Sequence, residues 1–193
     1  CFSYGADSAG FAPQNYKVHY KDNDAEVPPT LMVTKCEKIE KPVLDDFDRS
    51  QVWDCPNVDV LLAECQHRVF ATDMLAAGLE PKKRADMLVK YVDALLELYP
   101  SCKAVVFGPS RKLLSRESIE NHPDTDVTRF IYYAVNVRYF SIQGTDDMMV
   151  DSVGMSTLFL PDVQYHFHGM NPDDVIIHAY NMLYFILEND NPV

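Results

Sequence analysis

Residues 162–174 read DVQYHFHGMNPDD, and the fold turns on how that stretch divides. Up to His168 the residues alternate. Asp162, Gln164, His166 and His168 share one parity, and Val163, Tyr165 and Phe167 share the other. Successive side chains of a strand point to opposite faces, so this is a strand with one polar and one apolar face. After Gly169 the chemistry changes. Asn171 is a helix-capping residue type, Pro172 suits a first helical position, and Asp173 and Asp174 complement the positive end of a helix dipole. The spacing therefore predicts a helix over NPDDVIIHAYNMLYFILEND (171–190).

Upstream, RFIYYAVNVRYFSIQG (129–144) carries the same alternation. Ile131, Tyr133, Val135, Val137 and Tyr139 share one face, with Asn136 and Arg138 on the other, which predicts one long strand. GTDD (144–147) supplies a turn, and MMVDSVG (148–154) returns as its hairpin partner. The clearest helix is PKKRADMLVKYVDALLELY (81–99), started by Pro81, with Leu88, Val92, Leu95, Leu96 and Tyr99 along one side. KAVVFG (103–108) reads as a short apolar strand, central in the sheet, and Ser115 as the cap of a short helix at RESIEN. YKVHY (16–20) and TLMVTKCEKI (30–39) read as two strands joined through KDNDAEVPP, HRVFATD (67–73) as a further strand. LDDFDRSQVWD (44–54) reads as a short helix, and Val58, Leu61, Leu62 and Cys65 as the stripe of another. Hairpins interleaved with crossover helices give the fold class: a single α+β domain over 1–193, with a largely antiparallel or mixed sheet and helices packed on it.

The chain has 193 residues, 47% of them hydrophobic and 24% charged, so one core can form without disulfide or metal staples. Its 17 Lys and Arg stand against 29 Asp and Glu, a net charge of −12. That field repels nucleic acid and anionic membrane surfaces and favours a basic protein partner or cations, although solubility alone also produces such an excess. Five cysteines, Cys1, Cys36, Cys55, Cys65 and Cys102, are odd in number and lack C-x-x-C spacing, which reads as reduced thiols in a cytoplasmic protein. The longest apolar run, MLYFIL (182–187), falls short of the roughly 20 residues that span a bilayer. Cys1 followed by Phe2 and Tyr4 reads as the edge of a fragment rather than a lipid-bearing tether.

Beyond these patterns, WDCP (53–56), ATDMLAAGL (71–79), FIYYAVNVR (130–138) and DSVGMSTLFLPDVQYHFHGMNPDD with HAYN (151–181) together resemble the bacterial domain-of-unknown-function family 4261. The resemblance runs over nearly the whole chain and is most specific over 151–181. It implies an α+β domain of bacterial cytosolic proteins, longer at both ends, and brings no catalytic residues with it. Arginine at the position of His168 in the family pattern argues against a family-wide metal site there.

Two polar constellations remain. His166 and His168, two apart on a strand, point the same way, and neutral imidazoles suit zinc; Asp162 is the nearest carboxylate. A zinc centre needs a third ligand, and His178 on the last helix is the other candidate. Asn136 and Arg138, beside Gln164 and His166 if the two strands share a sheet, form an anion or carboxylate pocket with the N-terminus of the last helix. The plainer reading is a half-exposed polar strand face, with Arg138 paired to a carboxylate such as Asp151. Asp146, Asp147, Asp151 and Asp162 match no calcium loop, and GPSRKLLS (108–115) lacks the ending of a phosphate loop. No catalytic set is complete. The expectation is a non-catalytic protein-interaction domain without a cofactor. The alternatives are a small-ligand, zinc or hydrolase-like site around His166 and His168, or a structural segment of a larger protein. Oligomeric state is left open.

Overall fold

The computed structural model describes residues 2–20, 24–53, 55–123 and 127–189. The reading of Cys1, the middle of the 21–29 connector, Asp54 and Asp190 lie outside the described residues. Along the chain, β1 (Phe2–Tyr4), β2 (Ser8–Phe11), β3 (Val18–Tyr20), β4 (Ala25–Val27), β5 (Thr30–Thr34) and β6 (Glu37–Lys38) come first. Then follow α1 (Asp46–Ser50), α2 (Val58–Glu64), β7 (His67–Arg68), β8 (Ala71–Met74) and α3 (Pro81–Leu98). β9 (Ala104–Phe107), β10 (Lys112–Ser115), α4 (Arg116–Glu120) and α5 (Arg129–Ala134) lead to β11 (Asn136–Ser141) and β12 (Asp147–Val153). A 3-10 turn (Met155–Leu158), β13 (Gln164–His168) and α6 (Pro172–Glu188) complete the order. Among the described residues every strand pair is antiparallel, which bears out the α+β class with a largely antiparallel sheet.

Two sheets flank α3. The N-terminal sheet has the order β1-β2-β5-β8, and the C-terminal one β11-β12-β13. The buried side of α3 is wider than the stripe read from its sequence: Ala85, Met87, Val89 and Tyr91 join Leu88, Val92 and Leu96. It is tied to the first sheet by the Tyr91 hydroxyl, which donates to the Met32 carbonyl at 2.6 Å, and by Arg84 on Asp73 at 2.8 Å. Toward the second sheet it meets α5 and α6. Its last turn carries no basic residue, and Arg116 of α4 supplies that charge by donating to the carbonyls of Leu96 and Tyr99 at 3.0 and 3.1 Å. Ser115 caps α4 as its position suggests, accepting from the Ser118 N–H.

Three readings of the sequence need correction. Residues 129–144 are not one strand: 129–134 form α5, and only 136–141 are extended. Phe130, Ile131, Tyr133 and Ala134 are all buried, because α5 packs on α3, α6 and the β9–β10 hairpin side at once. A short helix covered on most sides loses its 3.6-residue period, and its apolar run then passes for a strand. KAVVFG is not central in a sheet; among the described residues β9 pairs with β10 alone. Both its faces are nonetheless covered. Val105 and Phe107 pack on the main core, while Ala104 and Val106 pack on a small cluster of Leu44, Cys55 and Leu113. Finally, 16–20 and 30–39 do not pair with each other. β3 folds onto β4 inside the supposed connector, and β5 lies between β2 and β8.

One glycine is required by close approach. Gly154, at φ 139°, follows β12 where the chain crosses the junction of α5 and β11, and a Cβ there would run into the Ala134 carbonyl oxygen. Gly154→Ala is expected to lower the unfolding free energy by about 2 kcal/mol or more in urea titrations.

Burial pushes the Tyr91 phenol up to about 12, so it stays protonated in the fold where an exposed tyrosine would ionise. Its folded value lies above its unfolded one. The associated stability is therefore whole below about pH 10 and is lost as pH rises through about 12, with two units corresponding to about 3 kcal/mol. Tyr91→Phe is expected to flatten the fall of the thermal midpoint over that window, while starting lower by the one hydrogen bond it lacks.

Candidate functional site

The candidate residues sit on the outer face of the β11-β12-β13 sheet, opposite α3, α5 and α6. Register decides what meets there. Arg138 lies opposite Asp151, and Asp151 opposite Gln164; Met149 lies between Phe140 and His166; Asp147 lies opposite His168. On the inner side, Val137, Val150 and Phe167 are buried in the core. The parity read from residues 162–168 is therefore the parity of the fold.

Arg138, Gln164, His166 and His168 each meet a side chain of the neighbouring strand β12 on the outer face. Arg138 forks onto Asp151, with Nε donating at 2.8 Å and Nη2 at 2.5 Å, and this pairing holds the guanidinium above its ordinary value. The plainer reading of Arg138 is thus the geometry found. His166 Nε2 lies 3.4 Å from one carboxylate oxygen of Asp147, and His168 Nδ1 lies 3.1 Å from the other. Both imidazoles are well exposed. Gln164 Nε2 lies 2.8 Å from the Met149 sulfur.

The other expected members of the set lie elsewhere. Asp162 is not beside the histidines. Its carboxylate accepts from the Ser152 hydroxyl at 2.8 Å, the Met155 N–H at 3.2 Å and the Gly154 N–H at 3.3 Å. Ser152 and Asp147 are five residues apart on β12, about 16 Å along a strand, so Asp162 and the Asp147 clasp occupy opposite ends of it. Asn136 is buried and donates toward the Ser110 carbonyl at 3.4 Å, away from the histidines. His178 stacks edge-on against Tyr165 at 5.2 Å, on the opposite face of β13. At the N-terminus of α6, Asn171 caps the Asp173 N–H at 3.2 Å, as its place before Pro172 suggests. The fold therefore brings Arg138, Gln164, His166 and His168 together on the open part of one face; Asn136 is covered at the end of that face, and Asp162 and His178 lie away from it. Among the described residues, no group of three or more His, Cys, Asp and Glu side chains is arranged to hold a metal ion.

Sequence reading passed over Gln51, and weighed Asp147 only as a calcium-loop carboxylate rather than as the partner of the histidines. Asp147 sits at the start of β12, where the hairpin register sets it opposite His168; counting back from the GTDD turn was the available signal. Gln51, at the end of α1, gives the edge of β11 a side-chain partner. Its Oε1 accepts from the Tyr139 N–H at 3.1 Å and its Nε2 donates to the Tyr139 carbonyl at 3.4 Å. Phe47 of α1 stacks on Phe140 beside it, at 5.9 Å and 10° between planes. A recess of about 350 Å³ opens elsewhere, lined in part by Ile39, Leu44, Arg49, Asp59, Leu62 and Cys65, with Arg49 and Asp59 paired at 2.6 Å. Burial pushes the Cys65 thiol up, and the nearby Cys102 and Glu64 add to this, which is opposite to what a nucleophilic cysteine needs.

The clasp and the turn differ in what they stabilise. Asp162→Ala is expected to lower the unfolding free energy by about 1–2 kcal/mol, since three donors lose their acceptor. His166→Ala and His168→Ala, on exposed pairs, are expected to change it by less than about 0.5 kcal/mol in the same urea titrations.

Comparison with curated proteins and with solved structures finds no match. A family model does match, over residues 151–193, a span that takes in the last three residues of β12, the 3-10 turn, β13 and α6. The other segments that carry the resemblance fall outside the matched residues. Over its C-terminal strands and helix the chain is similar to the family described as Domain of unknown function (DUF4261).

Proposed function

We propose that the chain is a non-catalytic interaction domain of the bacterial cytosol that binds a basic protein partner. The observation that carries this reading is where the charge goes. The Arg138 charge is taken up by Asp151 on the sheet face, where His166 and His168 contact Asp147. Meanwhile Glu40, Asp46, Asp146 and Asp174 are exposed and form no ion pair among the described residues, in a chain of net charge −12. Such a surface steers a basic partner and rejects acidic ones. Four described cysteines, Cys36, Cys55, Cys65 and Cys102, are free thiols, the state that a reducing cytosol maintains. Among the described residues no helix is long and apolar enough to cross a membrane.

Co-purification of the chain from its native cell at low salt is expected to recover a basic protein that is released as salt rises past the point where surface charges are screened. Recovery of no partner at low salt counts against the proposal. The competing use of this surface is a zinc or small-ligand site on His166 and His168. Metal analysis of untagged protein separates the two. Stoichiometric zinc, with a rise in thermal midpoint on added Zn²⁺ that His166→Ala abolishes, favours the competing site; sub-stoichiometric metal and an unchanged midpoint favour the interaction domain.

A further inference from the structure

The two edges of the β11-β12-β13 sheet are treated differently. β11 is covered at Tyr139, where the Gln51 amide supplies both an acceptor and a donor to the outward main chain. β13 is the other edge. The Ser152 N–H donates to the Val163 carbonyl at 2.9 Å, so Val163, Tyr165 and Phe167 direct their main-chain groups toward β12. Gln164, His166 and His168 must then direct theirs outward. Among the described residues nothing donates to or accepts from those outward groups.

An open edge is a template for a further strand, and proteins that must stay single guard it with lysine, proline or a bulge. β13 has none of these. From 163 to 172 the chain reads VQYHFHGMNP, ten residues without Asp, Glu, Lys or Arg, in a molecule whose net charge is −12. A basic partner has nothing to recognise at this edge, and a second copy meets no like charge along the strand. Antiparallel pairing of two β13 strands about His166 is also self-complementary. It sets His166 opposite its own copy, Gln164 opposite His168, and Tyr165 opposite Phe167. Tyr165, half-buried and packed edge-on against His178, gains a cross-strand aromatic neighbour on the inner face. The α6 helices of the two copies then lie on the same side of one continuous sheet. Phe185, on the flank of α6 that also carries His178, is half exposed in the single chain.

We infer that the open edge of β13 is a homodimer interface, through which two copies of this chain join their three-stranded sheets into one. The inference stands apart from the basic partner proposed above, because it uses an uncharged edge rather than the acidic surface.

Sedimentation equilibrium of the full chain tests it. The chain is expected to dimerise with a dissociation constant below about 100 μM, the weak end of specific association. His166→Pro removes an N–H that the intrachain ladder does not use, and puts a proline where the second strand must approach. It is expected to keep the circular dichroism spectrum and to raise the dissociation constant by at least about 100-fold, since two ladder bonds go and their acceptors lose their donors. If His166→Pro fails to fold, the pair Gln164→Lys and His168→Lys decides, by placing like charges along the seam. A parent chain that is monomeric at all concentrations up to that limit overturns the inference. So does a dimer whose dissociation constant is unmoved by whichever of these variants folds.

Discussion

The buried hydroxyl of Ser152 sets the register on which the C-terminal half of the molecule depends. It accepts from the Val163 N–H at 2.9 Å and donates to Asp162, whose carboxylate also gathers the N–H groups of Gly154 and Met155. The 3-10 turn between β12 and β13 is thereby held closed at its base. A strand slipped by one residue would put every side chain on the wrong face. Here that would bury His166 and His168 and expose Phe167. Gly154 works at the same place from the other side, letting the turn lie against the end of α5 where a side chain would collide.

From that register follows the division of labour on the sheet. The inner face joins the core beneath α3, α5 and α6, while the outer face pairs its charges across strands. Arg138 with Asp151, and both histidines with Asp147, use the cross-strand geometry as an intramolecular clasp. Side chains placed this way orient one another, and much of the remaining acidic excess lies on exposed loops and helix ends. The Gln51 amide and the stacked Phe47 then cover one sheet edge, and the neutral strand β13 is left as the other.

Much of this was legible along the chain. The strand and capped helix within 162–174, the hairpin at 144–147, the start of α3 at Pro81 and the cap at Ser115 all rest on local chemistry. Period-two alternation, a capping side chain and a proline act over a few residues, so they survive in sequence. Two of the errors have a different cause. Residues 129–134 and 103–108 are apolar because several elements cover them at once: in the first this erases the period that separates a helix from a strand, and in the second it imitates a strand central in a sheet. The candidate site was half legible for the same reason. Parity placed Gln164, His166 and His168 together, but whether Asp147 or Asp162 answered the histidines depended on a neighbouring strand.

By itself, the sequence determined the kind of domain, its acidic field, the two faces of β13 and the caps of its later helices. These are properties of residues and their near neighbours. Tertiary structure alone decided the partners: Asp147 for the histidines, Asp151 for Arg138, Gln51 for the edge of β11, and none within the described chain for the edge of β13. Partnership across strands is set by register, and register is a relation between distant segments that no local pattern contains.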